Sequence, residues 1–121
     1  LVVDDNADAL DLTAMTLRRE GAEVRVASSA FRAHEIVTDW QPQILVSDLA
    51  MPGEDGFMLL RGMRHAISKN GRRLAAIAIT AYGTTENEMR SFEAGFDLYL
   101  TKPIDPLEFA AAVAGLALRV T

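Results

Sequence analysis

At 121 residues, half of them apolar and 24% charged, the chain has the length and balance of one globular domain, which excludes two independent cores, a collagenous fibre, a coiled coil or a disordered tail. Seventeen acids against twelve bases give a net charge of −5, a surface that does not favour nucleic-acid phosphates or anionic lipid, and the only adjacent basic pairs are Arg18-Arg19 and Arg72-Arg73. With no cysteine, disulfides, thiolate catalysis and Cys-based zinc sites are excluded; the longest uncharged run, 74–85, is too short to span a membrane, no signal-peptide pattern opens the chain, and a reducing cytoplasm is the expected setting.

Apolar runs alternate with helical patterns five times. Leu1-Val2-Val3 reads as a short strand ending on Asp4-Asp5, and its brevity gives the expectation that the chain starts inside that strand. Asn6 can cap a helix to about Glu20, with Ala7, Leu10, Ala14 and Leu17 inward and Gly21 as terminator. Glu23 to Ala27 alternates as a half-exposed strand does, and Ser29 then caps a helix to about Trp40, inward through Ala33, Ile36, Val37 and Trp40. After Pro42 comes the strand Ile44 to Asp48, then a loop with Pro52, Gly53 and Gly56, then a helix from about Phe57 to Ile67 that turns Leu59, Leu60, Met63 and Ile67 inward. A polar loop, 69–73, leads to the strand Ala75 to Thr80. Thr85 with Glu88 reads as a capping box for a fourth helix, Met89 and Phe92 inward and Gly95 at its end. Leu98 to Thr101 is a fifth strand, and Asp105-Pro106-Leu107-Glu108 opens the last helix with an N-cap acid and a first-turn proline.

Five strand–helix units predict a parallel sheet covered on both faces by right-handed crossovers, an α/β three-layer sandwich spanning residues 1–121 as one domain. The strands at 44–48 and 75–80 carry no charge before their last residues and are expected at the centre, whereas Glu23 and Arg25 suit an edge. The order 2-1-3-4-5 of flavodoxin-like sheets meets these conditions and is adopted by analogy.

In such a sheet ligands bind beyond the carboxyl ends of the strands, near the switch in strand order. There the first strand ends on Asp4-Asp5, the third on Asp48 and the fourth on Thr80, and Lys102-Pro103 follows the fifth. Like charges about 4 Å apart repel by roughly 4 kcal/mol at an effective dielectric of ~20. A hard divalent cation, Mg²⁺ or Mn²⁺, relieves that repulsion through oxygen ligands. Mg²⁺ and Lys102 would balance the three carboxylates, leaving a carboxylate oxygen able to attack an electrophile. Incoming phosphoryl charge would be shared by the metal, Lys102 and the Thr80 hydroxyl.

These residues resemble the receiver domain of two-component response regulators. The resemblance covers essentially the whole chain and rests on Asp4-Asp5, the segment from Ser47-Asp48-Leu49-Ala50 through Met51-Pro52-Gly53 to Asp55-Gly56, the strand end Ile79-Thr80-Ala81, and Tyr99-Leu100-Thr101-Lys102-Pro103. It implies that Asp48 accepts a phosphoryl group from the phosphohistidine of a histidine kinase or histidine phosphotransfer domain. It further implies that Asp5, Asp48 and the Ala50 carbonyl ligate Mg²⁺ with Asp4 acting through water, and that Thr80 and Lys102 bind the phosphoryl oxygens. Tyr99 would be the aromatic switch partner of Thr80, and the peptide before Pro103 would be cis. By the same resemblance the domain is not a classical enzyme but catalyses its own phosphorylation and dephosphorylation. A weak homodimer is an allowed state, and no direct contact with nucleic acid or membrane is expected. By the resemblance, two positions set phosphoryl lifetime in the family: the one two after the acceptor, often polar there, is Ala50 here, and the one two after the threonine is Tyr82, which leaves the lifetime open. Ile77 to Tyr82 and Ala94 to Asp97 look like receivers at the C-terminus of hybrid sensor histidine kinases, with a single-domain regulator or a transcription-factor receiver as alternatives.

Two other functions compete. A degenerate receiver would only bind a partner, but every phospho-site residue is present. An aspartyl-phosphate phosphatase of the haloacid-dehalogenase kind needs a second acid two residues after its nucleophile, and Ala50 and Asn6 stand there after Asp48 and Asp4. No glycine-rich nucleotide fingerprint is present. His34 and His65 read as surface residues without partners, and Arg61, Arg64, Arg72 and Arg73 as a solvated face suited to docking. Lys102 is one of only two lysines, the other being Lys69.

Overall fold

The computed structural model describes residues 1–68 and 71–120. Its elements are β1 (Val2–Val3), α1 (Ala7–Arg19), β2 (Val26–Ala27), α2 (Ala30–Asp39), β3 (Ile44–Asp48), α3 (Gly56–Ser68), β4 (Ala75–Thr80), α4 (Thr85–Ala94), β5 (Leu98–Thr101) and α5 (Pro106–Val120). The five strands are parallel in the order β2-β1-β3-β4-β5, the flavodoxin-like arrangement expected from the sequence. Lys69 and Asn70, the first two residues of the expected polar loop, lie outside the described residues.

The two-residue period of the strands sorts the core into two layers. Val2, Val46, Ile77 and Ile79 pack with Leu10 and Leu17 of α1 and with Phe109 and Leu116 of α5. Val3, Leu45, Ala76 and Ala78 point to the other side, against Ala33 and Val37 of α2 and Leu59, Leu60, Met63 and Ile67 of α3. The central strands β3 and β4 are buried on both faces, which is why their apolar runs show no alternation.

Local chemistry sets the helix ends. The side chains of Asn6, Ser29 and Thr84 accept hydrogen bonds from the amides of Ala9, Arg32 and Asn87, and Gly95 closes α4 in the left-handed region at φ 106°. Thr84, not Thr85, is therefore the cap of α4. Ala7, expected inward on α1, is exposed, because the helix meets the sheet only from Leu10 onward. The edge strand β2 keeps only the last two residues of the expected run; before it, the Arg25 guanidinium lies 4.9 Å from the centre of the Trp40 ring. The larger correction concerns α4: Met89 and Phe92 are 59% and 47% exposed, and the one buried residue of the helix is Ser91. Helical spacing puts Met89 about 200° and Phe92 about 100° around the axis from Ser91, so with Ser91 facing the fold both turn outward.

Candidate functional site

Polar residues placed at the carboxyl ends of three neighbouring strands converge. Asp4 follows β1, Asp48 ends β3 and Thr80 ends β4; all three are buried, while Asp5 is exposed at the rim. One carboxylate oxygen from each of Asp4, Asp5 and Asp48 lies within 4.8 Å of the others. The Lys102 Nζ reaches in from the segment after β5 and donates to Asp4 Oδ2 at 2.9 Å and to Asp48 Oδ2 at 3.1 Å. The second oxygens are held by backbone: Asn6 N–H donates to Asp4 Oδ1 at 2.9 Å, and Ala50 N–H to Asp48 Oδ1 at 3.1 Å. The Lys102–Pro103 peptide is cis.

Burial pushes the Asp48 carboxyl above its usual pKa, against the opposing pull of the Ala50 N–H and Lys102. For Lys102 burial acts downward, but the hydrogen bonds and charges of Asp4 and Asp48 outweigh it and hold the ammonium above its usual value. Three carboxylates against one ammonium leave two negative charges uncompensated. An all-oxygen donor set carrying that surplus suits a hard divalent cation.

The loop between β3 and α3 depends on Gly56. A Cβ at that position would sit 2.5 Å from the Asp48 carbonyl oxygen and 3.0 Å from the Leu49 Cα, so only glycine lets α3 start this close to β3. Beside the acids opens a cleft of about 520 Å³, bordered by Asp5, Ala50, Met51, Thr80, Asn87 and Arg90. The Arg90 guanidinium stacks on Phe57, 4.2 Å from the ring centre.

Thr80 connects outward through main chain. Its Oγ1 accepts from the Tyr82 N–H at 3.0 Å, and the Tyr82 carbonyl accepts from the Tyr99 hydroxyl at 3.1 Å and from Asn87 Nδ2 at 3.0 Å. Burial and then the charge of Glu88 raise the Tyr99 phenol, which stays neutral and able to donate.

Sequence reasoning missed two contacts. His34 has a partner: its Nε2 lies 2.6 Å from Glu54 Oε2, joining α2 to the loop after Asp48. Arg64 is no member of a free solvated face; half-buried, it donates to the carbonyls of Gly95 and Leu74 and pairs with Asp97 at 3.4 Å. These contacts cross 10 to 33 residues of chain, and no periodicity in the sequence could signal them.

With strand order, acid cluster and lysine in place, the chain belongs to the response regulator receiver domain family, whose match covers residues 1–114. It is 45% identical over 113 residues to a 14.6 kDa protein of Leptolyngbya boryana from the sodA1 3′ region, a match covering 93% of this chain and 85% of that one. It is 30% identical to the phosphate regulon transcriptional regulatory protein PhoB of Pseudomonas aeruginosa, over 98% of this chain and 51% of the relative. The chain thus spans about half the length of that regulator and of the other full-length regulators it matches. Among solved structures, the receiver domain of the Francisella response regulator 1452 superposes with a TM-score of 0.86 at 28% identity, covering 99% of this chain and 96% of that one. A CheY-like receiver domain protein of Methanospirillum hungatei gives 0.84 at 27% identity, covering 98% and 92%. The domain is accordingly a phosphorelay signalling module of the kind that histidine kinases address. Among the described residues no helix is long and apolar enough to cross a membrane.

Proposed function

We propose that Asp48 accepts a phosphoryl group from the phosphohistidine of a histidine kinase or histidine phosphotransfer domain, and that the transfer resets the surface formed by α4, β5 and α5. The observation that carries this reading is the double restraint on Asp48: the Ala50 N–H holds one oxygen, and the Lys102 ammonium holds the other beside two more carboxylates. A carboxylate oxygen fixed this way attacks phosphorus. The P–O bond forms as the P–N bond breaks, and the imidazole, already carrying a proton on its other ring nitrogen, leaves as the neutral base with the electron pair. Lys102 remains charged throughout and offsets the phosphoryl oxygens. Asp5, Asp48 and the Ala50 carbonyl would hold Mg²⁺ or Mn²⁺, with Asp4 acting through water. That ion supplies the positive charge that Lys102 alone cannot.

The hydroxyl of Thr80 accepts from Tyr82 and keeps its own proton free to donate. A phosphoryl oxygen on Asp48 would draw that proton and shift the loop that carries the Tyr82 carbonyl, and with it the Tyr99 hydroxyl bond. The module's parent is read as a hybrid sensor histidine kinase, on the likeness of the 77–82 and 94–97 segments; the full-length gene sequence decides that point.

Incubation with acetyl phosphate and Mg²⁺, followed by acid trapping and intact-mass measurement, should add one phosphoryl group to the wild type and none to Asp48→Asn. An equal yield in the variant removes Asp48 as the acceptor. In Thr80→Ala, beryllofluoride should still perturb the Asp48 loop but lose most of its effect on amides 86–107. Full-sized shifts there would route the coupling elsewhere.

A further inference from the structure

At the opposite end of the sheet, where β4 begins, lies a second cleft of about 380 Å³. Five residue rises along β4, about 16 Å of strand, separate Ala75 at this cleft from Thr80 at the acid cluster. Its charged lining is Arg64, Arg72, Arg73, Arg119 and Asp97, a surplus of three positive charges in a chain whose net charge is −5. Ile67, Leu74 and Leu116 supply an apolar floor.

Arg64 and Asp97 are engaged with each other and with backbone, Asp97 also accepting from the Ala76 amide at 2.8 Å. Arg72, Arg73 and Arg119 are exposed, and among the described residues they have no ion-pair partner. The ordinary reason for arginines here would be the helix dipoles, since Ser68 of α3, Gly95 at the end of α4 and Arg119 of α5 all border the cleft. Three helix C-termini contribute about half a negative charge each, roughly −1.5 in total. That accounts for about half of the surplus and leaves room for further negative charge.

We infer that this cleft is a binding site for a small organic or inorganic dianion, a phosphate ester or a dicarboxylate, clamped by the guanidinium groups of Arg72, Arg73 and Arg119. Planar guanidinium forks match the paired oxygens of phosphate and carboxylate. The volume lies at the lower end of the range for small-molecule sites. The acid cluster at the other end repels the same anions when no divalent cation is present, so the two ends are chemically separable.

The test is an NMR titration of the isotopically labelled chain without divalent cation. Methyl phosphate and succinate, each largely a dianion at about pH 8, are added separately, at ionic strength held constant with sodium chloride. Saturable shifts of the Ser68, Leu74 and Gly95 amides are expected, with affinity falling roughly tenfold or more in the Arg72→Ala/Arg73→Ala variant, whose spectrum elsewhere stays native. Tighter methyl phosphate binding assigns the site to phosphate esters, and tighter succinate binding to dicarboxylates. Equal shifts from chloride alone, or affinity unchanged in the variant, overturn the proposal. So does an oligoglutamate peptide that binds more tightly than both, since it would reassign the arginines to a protein partner.

Discussion

Helices α3 and α4 follow one another in the chain and pack side by side, yet they are held by different means. Helix α3 buries Leu59, Leu60, Met63 and Ile67 against the sheet. Helix α4 buries only Ser91 and is held at points: Thr84 caps one end, Arg64 from α3 holds the Gly95 carbonyl at the other, and between them Asn87 bonds the Tyr82 carbonyl and Arg90 stacks on Phe57. A helix anchored by area resists displacement along its whole length, whereas a helix held at a few points can shift when one of them moves. The difference sets the more deeply buried helix behind the loop after Asp48 and the more lightly held one on the Thr80 side.

Substitutions sharpen the contrast in order of size. Leu60→Ala should cost about 2–5 kcal/mol, read as a lower denaturant midpoint with the slope unchanged; a loss below that range would mean α3 is not the anchor. Arg64→Ala removes charge-assisted bonds that tie the two helices together, at about 1–3 kcal/mol. Hydrogen exchange should then speed up most in the last turn of α4. Thr84→Ala should cost about 1 kcal/mol, with fraying confined to the first turn of α4 in amide exchange. Met89→Ser should fall within about 0.5 kcal/mol of wild type. A clearly larger loss would show that the exposed face of α4 is packed in solution and would break the comparison.

The same contrast explains what could be read in the chain beforehand. Where burial is two-sided and continuous, as in Ile44 to Asp48 and Ala75 to Thr80, the apolar run and the polar residue that ends it mark both the strand and the site, and the two strands appear with those bounds. Asp4, Asp48 and Thr80 were legible for that reason, each standing where a buried apolar run stops; Lys102, after the half-exposed edge strand β5, was legible only through its place in the resemblance. Met89 and Phe92 misled because spacing reveals that a helix has an apolar face, not which face the fold covers. His34 with Glu54, and Arg64 with Gly95 and Leu74, depend on approaches between distant segments, and helical spacing carries no information about them. The need for glycine at position 56 belongs to the same class, since it comes from the Asp48 carbonyl and not from any local turn.

The link from Thr80 to Tyr99 runs through the peptide groups flanking the Cα of Tyr82: an N–H on one side, a carbonyl on the other. The Tyr82 side chain, 66% exposed, takes no part in those bonds. Position 82 therefore separates two kinds of inheritance. Its side chain can be exchanged without touching either bond, and the link behind it passes through any residue that keeps an N–H. Proline alone, lacking that hydrogen, would cut the line.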